Sequence, residues 1–215
     1  MALEQYNKKR NFKETDEPEG KPGKEHKEHI FVIQRHHASH LHYDFRLELA
    51  GVLKSWAVPK GPSMNPKDRR LAMAVEDHPV SYAHFEGDIP EGNYGAGHVD
   101  VWDHGTYEPI DEHGEVISYG DFFKAMLAGN IKFRMHGRHL KGEFALVKMP
   151  RDKKSWLLIK HRDEYATDEP YTSEDFAKKS SLAYTEERNA DNAPVKKNAR
   201  PKPQLVSLKR QRVLK

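Results

Sequence analysis

The chain has 215 residues, of which 36% are hydrophobic and 32% charged, with no cysteine and a formal net charge of +3 at pH 7. That length suits one ordinary domain with tails, and the high charged share points to a folded middle between polar ends. The absence of cysteine excludes disulfides and thiolate ligands, the absence of a long apolar run argues against a membrane-spanning helix or a secretory signal, and a cytoplasmic protein is expected.

Residues 1 to 29 are polar, with Lys, Glu, Pro and Gly throughout, and read as an arm. "HIFVIQRH" is an apolar run of strand length. "LHYDFRLEL" alternates strictly, with Leu41, Tyr43, Phe45, Leu47 and Leu49 on one face and His42, Asp44, Arg46 and Glu48 on the other, the pattern of a half-buried strand. "AGVLKSWAVP" follows a small turn and completes a hairpin. "RRLAMAVEDH", "GHVDVWDHGTYEP", "NIKFRMHG", "GEFALVKM" and "SWLLIKHR" are five further strand candidates, most of them separated by Gly, Pro, Asn or Asp. "SYGDFFKAMLAGN" predicts the one helix in the middle, with a stop at Gly129-Asn130. Many short strands with few helices argue for a mainly β barrel or sandwich. "TSEDFAKKSSLAYTEER" predicts another helix, capped by Thr172 or Ser173, and disorder is expected beyond about Asn189. From Val195 to Lys215 there are eight basic residues and no acid, so the net +3 leaves residues 1–194 at −5. A basic tail is an electrostatic handle for nucleic acid, or simply a solvated end.

The stretch "RHHASHLHYDFRLE" places His36, His37, His40 and His42 within seven residues, followed by Asp44 and Arg46. Residues two apart on a strand project from the same face at about 6.6–6.8 Å. His42 and Asp44 can therefore reach one ion, with Arg46 a step further along to take an anion bound beside it. His36 is a candidate third ligand. Two histidines and a carboxylate suit Mn, Fe or Zn with positions open for substrate. The pattern allows two chemistries. One is non-haem iron oxygenation, with a distant histidine such as His98, His104, His113 or His136 as the third ligand. The other is metal-assisted phosphoryl transfer, toward which Arg46 and the basic tail lean. The competing reading is a solvated polar face.

Gly92, Gly95 and Gly97 in "PEGNYGAG" resemble a phosphate loop only superficially, because a strand and not a helix follows. A tight bend between strands is expected there. Glu76 and His78 end a strand where a loop begins, and "PKGPS" presents Lys60 in a rigid turn.

"RHHASHLHYDFRLELAGVLKSWAVPKGPS", "VEDHPVSYAHFEGDIPEGNYGAGHVDVWDHGTYEP" and "GEFALVKM…SWLLIKHRDEYA" together resemble the 3′-phosphoesterase domain of bacterial DNA ligase D, from about Tyr6 to Tyr165. The length leaves no room for ligase or polymerase domains, so the resemblance implies a stand-alone member. It implies a compact, closed or nearly closed β barrel with a few short helices and its active site on an outer face. Residues 1–29 would be an arm reaching the site, 30–168 the barrel, and 169–215 an extension that the resemblance does not explain. The implied activity trims a 3′-terminal ribonucleotide and then removes the resulting 3′-phosphate. Manganese is the implied metal, with cobalt and zinc as further candidates. The implied partners are DNA or RNA/DNA primer–template 3′ ends and, beyond them, DNA ligase and end-joining repair proteins. A monomer close to the nucleoid follows from the same resemblance. Matched motif to motif, the metal ligands are His36, His42 and Asp44. Arg46 is the phosphate-binding arginine and His78 faces the scissile phosphate. Tyr82, Glu76, Lys60 and Arg70 fall on positions associated with the site. The arm brings Arg10, Asn11 and Glu17, with Asn11 standing where the family usually has Asp. His37 and His40 fall on positions that the family varies. The alternatives to this reading are an Fe(II) oxygenase and a non-catalytic DNA-end-binding module.

Overall fold

The computed structural model describes residues 3–21, 23, 29–150, 152–182 and 185. Ten strands follow one another along the chain: β1 (Ile30–His37), β2 (Leu41–Leu49), β3 (Val52–Val58), β4 (Arg69–Ala74), β5 (His78–Pro79), β6 (Gly87–Ile89), β7 (Gly97–Ile110), β8 (Asn130–His136), β9 (Lys141–Lys148) and β10 (Ser155–Lys160). Helix α1 spans Glu4–Lys8 and α2 spans Tyr119–Ala128, and 3₁₀ turns cover Val80–His84 and Ser173–Phe176. Eight of the strands pair in the order β1-β2-β3-β4-β10-β9-β8-β7, and β7 returns to β1, so the antiparallel sheet closes into the expected barrel. β6 adds to the far side of β7, and β5 pairs with β3. All the strands read from the sequence are present. β6, α1 and the 3₁₀ turns are too short to carry a readable period.

The turn between β2 and β3 has two residues, Ala50 and Gly51, both at positive φ, which matches the twist of a tight hairpin. The middle helix begins where Ser118 accepts a hydrogen bond from the Asp121 amide and ends at Gly129 in the left-handed region. The barrel interior is filled by Phe31, Ile33, Tyr43, Phe45, Leu47, Trp56, Phe133, Phe144, Leu146 and Leu158 among others. A second apolar cluster lies outside the barrel wall. In it Leu3 and Tyr6 of the arm meet Val32, Leu53, Tyr82, Phe85, Ile89 and Val99.

This second cluster changes the expected character of β2. Asp44, Arg46 and Glu48 are buried as fully as the apolar residues opposite them. The strand is covered on both faces because the arm and the Val80–His84 turn roof its polar side. Alternation shows that two faces differ; it does not show what lies over each.

At one end of the barrel, the C-terminal segment seats Glu174 between the two strands that carry the histidines. Arg35 Nε and Nη2 donate to its two oxygens at 2.9 Å each, and the Tyr43 hydroxyl donates to the same carboxylate. Ser173 is locked by its own hydroxyl to Pro62 O and by Trp102 Nε1 to its carbonyl. The predicted helix here is realised as the 3₁₀ turn, with helical residues again at 179–182, while the basic run from Val195 lies outside the described residues. Arg35 is fully buried, so Glu174→Gln strips a buried guanidinium of its counter-charge. It should cost about 2 kcal/mol, less than a fully buried pair because Glu174 is partly open. That corresponds to a drop of about 4–8 °C in Tm, read by thermal unfolding.

Candidate active site

β1 and β2 are paired in register with His36 opposite His42 and Gln34 opposite Asp44, so the outward side chains of both strands converge. His36 Nε2 lies 2.9 Å from Gly95 O, and His42 Nδ1 lies 2.9 Å from His40 O. A carbonyl only accepts, so each of these nitrogens carries the proton. The opposite nitrogens, His36 Nδ1 and His42 Nε2, which bear the lone pairs when the rings are neutral, lie 3.5 and 3.7 Å from the oxygens of Asp44. The three ligating atoms lie within 4.8 Å of one another. Backbone carbonyls that fix the tautomer of ligating histidines are the usual outer support of a metal site, and this donor set fits a borderline divalent ion. Among the described residues this is the one group of three or more such side chains close enough to share an ion. His98, His104, His113 and His136 do not join it. His40 serves through its carbonyl, with its ring exposed.

Gly95 holds φ +81 to turn its carbonyl toward His36. The glycines of "PEGNYGAG" thus form the bend expected between β6 and β7, and Gly95 also orients the His36 ring, which spacing alone did not show. β1 is further shaped by a bulge against β7 at Ile33/Gln34, an irregularity common beside active sites.

Arg46, 2% exposed, is gripped in three directions. Its Nε donates to Gln34 Oε1 at 2.8 Å, Nη2 donates to Asp44 Oδ2 at 3.0 Å, and Nη1 lies 3.0 Å from His78 Nδ1. Gln34, fully buried, holds its own amide against Tyr82 O and Phe85 O. The sequence reading missed it. Its signal was its place two residues before His36, a polar residue in an otherwise apolar run. Burial opposes the charge on Asp44, but the Arg46 guanidinium and then His36 hold its carboxyl well below the usual carboxylate range.

The arm supplies the other wall. Arg10 stacks on the Tyr6 ring at 3.8 Å and donates to Glu17 at 2.9 Å and to Glu76 at 3.0 Å, with Nη2 3.0 Å from His78 Nε2. Lys9 donates to the other oxygen of Glu76, and the Tyr82 hydroxyl donates to Glu17. Lys9 and Tyr6 were not singled out from the sequence, since a lysine and a tyrosine in a polar arm carry no pattern. His78 is enclosed between Arg46 and Arg10. Burial first, then those two charges, push its imidazole well below its ordinary value, so it is neutral near pH 7. Its Nδ1 also faces Glu76 O at 2.9 Å. In either tautomer, one of the two guanidiniums points at an N–H rather than at a lone pair. The ring therefore sits in a surplus of donors, an arrangement that an anion would satisfy.

These groups line one cavity of about 260 Å³, together with Ala38, Ala57, Val75, Ile89, Tyr94 and Gly95. The structure brings together His36, His42, Asp44, Arg46, Glu76, His78, Tyr82, Arg10 and Glu17. It does not bring in Asn11, Lys60 or Arg70. Asn11 is exposed and its side chain folds back to accept from the Lys13 amide. Lys60 stands in an exposed turn and, with Lys67, Arg69 and Arg70, lines a separate basic hollow. The Arg70 guanidinium is bonded to Asp68 and to Tyr171 O.

Glu76 ties the arm to the barrel, and its folded pKa is lowered by Lys9 and Arg10 against the opposing effect of burial. A carboxylate with a depressed folded value stabilises the protein above its ordinary value of 4.5 and loses that contribution as pH falls through the lower folded value. The difference in Tm between the wild type and Glu76→Gln should be constant from pH 7 to 5 and shrink below 4.5.

The antiparallel barrel thus carries on its outer wall three side chains close enough to share a metal ion, beside a donor-rich pocket. Comparison with known proteins gives the family. Residues 34–148 match the family model of the DNA ligase D 3′-phosphoesterase domain, and the chain belongs to that family. It is 47% identical over 165 residues to the multifunctional non-homologous end joining protein LigD of Pseudomonas aeruginosa, covering 75% of this chain and 19% of that protein. It is 46% identical over 127 residues to the LigD non-homologous end joining DNA repair protein of Mycobacterium tuberculosis, covering 59% and 15%. To the LigD protein of Mycolicibacterium smegmatis it is 38% identical over 175 residues, covering 75% and 21%. The chain thus spans about a fifth or less of the length of these relatives. No helix among the described residues is long and apolar enough to cross a membrane.

Proposed function

We propose that this protein is a metal-dependent phosphoesterase that heals 3′ ends in DNA repair. It would trim a 3′-terminal ribonucleotide and remove the remaining 3′-phosphate to leave a 3′-hydroxyl. The observation that carries the reading is the donor surplus around His78, set beside a triad whose free lone pairs converge. Charge agrees with it. Among the lining residues Arg10 and Arg46 stand against Glu17, Glu76 and Asp44, and Lys9, paired to Glu76 from beside the cavity, brings the set to zero, so a divalent ion on the triad would leave it net positive, as a phosphate requires. The family and the names of the relatives point to strand ends as the source of that phosphate.

His36 Nδ1, His42 Nε2 and Asp44 would hold the ion, with manganese first and cobalt or zinc as alternatives. When bound, it supplies Lewis-acid polarisation of a phosphate oxygen. Arg46 has five N–H donors, donates one each to Gln34 and Asp44, and holds a third against His78 Nδ1. The remaining two are free to take phosphate oxygens and the charge that grows on them. Arg10 does the same from the arm. Tyr82 and Glu17 hold Arg10 and the ring of His78 in place. His78 enters neutral. The negative charge of an incoming phosphate favours its protonated form, which can then donate to the leaving oxygen as its bond to phosphorus breaks and a water oxygen bonds to phosphorus in its place. Trimming of a ribonucleotide depends on the 2′-hydroxyl, which RNA alone offers.

The test is a primer–template ending in one ribonucleotide, incubated with manganese, with the products resolved as 3′-phosphate and 3′-hydroxyl ends. Loss of the terminal nucleoside followed by loss of the phosphate is expected. A strand that stays at full length would overturn the proposal. Turnover that requires ferrous ion and oxygen would favour an oxygenase instead. Accumulation of the 3′-phosphate would confine the activity to the first step.

A further inference from the structure

The floor of the cavity is polar, yet its mouth is not. Among the described residues, large hydrophobic side chains that remain exposed are few, and two of them, Tyr94 at 48% and Val75 at 36%, line this same small cavity. Neither belongs to the ion-and-phosphate machinery. Exposed apolar groups gathered at one polar site mark a binding surface. Tyr94 is also held in place. Its loop is braced against the arm by Asn93, which donates to Glu14, and Gly95 beside it is fixed through its carbonyl to His36. Lys9 donates to the Tyr94 hydroxyl at 3.2 Å and lies 4.5 Å from the ring centre. The ring is thus positioned from the arm side while nearly half of the residue's surface stays open.

We infer that Tyr94 is a base-stacking platform for the 3′-terminal nucleoside whose phosphate enters the cavity, with Val75 as a second apolar wall. The occupant follows from the chemistry. A 3′-phosphate cannot reach Arg46 and His78 without bringing its sugar and base to the mouth, and an open aromatic ring there meets a base face of any sequence. This rests on the phosphate-end reading above and deepens it, because it makes the site sensitive to the base and not only to the phosphate. A cation lying against the same ring adds electrostatic attraction for the strand backbone.

The experiment compares binding of two labelled primer–templates carrying a 3′-phosphate, one with an ordinary terminal base and one abasic at that nucleotide, by fluorescence anisotropy in chelator buffer without turnover. The wild type should bind the based end about tenfold more tightly, the order expected for base–aromatic stacking. Tyr94→Ala should remove most of that preference and Tyr94→Phe should keep it. A wild type that binds both ends equally, or a Tyr94→Ala protein that keeps the preference, would overturn the inference. So would a Tyr94→Phe protein that behaves like Tyr94→Ala, since the hydroxyl bond to Lys9 would then be the cause. A Tyr94-dependent preference in a protein that leaves both ends uncut in manganese would sink the end-healing reading and leave the stacking subsite standing.

Discussion

Arg46→Ala should both unfold easily and fail to turn over. Arg46 is the counter-charge of buried Asp44, the anchor of Gln34 and a neighbour of His78. Its removal leaves a buried carboxylate facing two imidazoles and no guanidinium, a change that costs about 3–5 kcal/mol when one partner of a buried pair is deleted. The same side chain lines the cavity, where phosphate oxygens are proposed to meet its remaining N–H groups. Losing them should lower kcat by about 10²–10³, the effect of removing a preorganised donor from a developing charge. Arg46→Lys separates the two roles. An ammonium can neutralise Asp44 but cannot point at Gln34, His78 and Asp44 at once. It should recover much of the Tm and little of the rate. Thermal unfolding read beside single-turnover cleavage of a 3′-phosphate end decides the matter. A well-folded Arg46→Ala protein with undiminished kcat would remove Arg46 from the chemistry.

His42→Ala should give the complementary result. His42 is partly exposed, and its Nδ1 partner is the His40 carbonyl, which lies close to water. Its loss strands no buried charge, so Tm should move by less than about 1 kcal/mol of stability. Metal binding should suffer much more. Loss of outer support alone weakens a metal site by about 10- to 100-fold, so loss of a ligand should cost at least about a hundredfold. Titration calorimetry with manganese gives this directly, without reference to turnover. An unchanged manganese affinity in His42→Ala would refute the triad. Together the two variants separate groups that hold the fold from groups proposed to hold an ion.

The sequence carried much of the barrel because its strands obey a period of two that both sheet faces impose. It carried His42, Asp44 and Arg46 for the same reason: they occupy consecutive outward positions of one strand. What it could not carry was the roof. Leu3 precedes and Tyr6 lies within a helix of five residues, too short for a period, and they bury against Val32, Leu53 and Tyr82, which are distant in sequence. Without that roof β2 reads as wet on one side. With it, a row of charges becomes an interior network with altered protonation. His36 and the arm residues Arg10 and Glu17 came from family resemblance and are brought into the cavity. Asn11, Lys60 and Arg70 came from the same source and lie outside it, because matched position along a chain does not fix where a long or turn-borne side chain points. Gln34 and Tyr94 act as a brace and a shelf, roles that depend on neighbours rather than on residue type.

The two apolar clusters have a mechanical consequence. They lie back to back across the barrel wall, and the arm contributes only to the outer one. Lifting the arm therefore exposes Leu3, Tyr6 and their partners while the interior packing of Phe45, Phe133 and Phe144 stays closed. A unit packed in this way is expected to exchange its amide hydrogens at a lower free energy than the barrel interior. The wall that carries His36, His42 and Asp44 is thus backed by packing that the arm does not share, while the place of Arg10 over the cavity depends on the outer cluster alone.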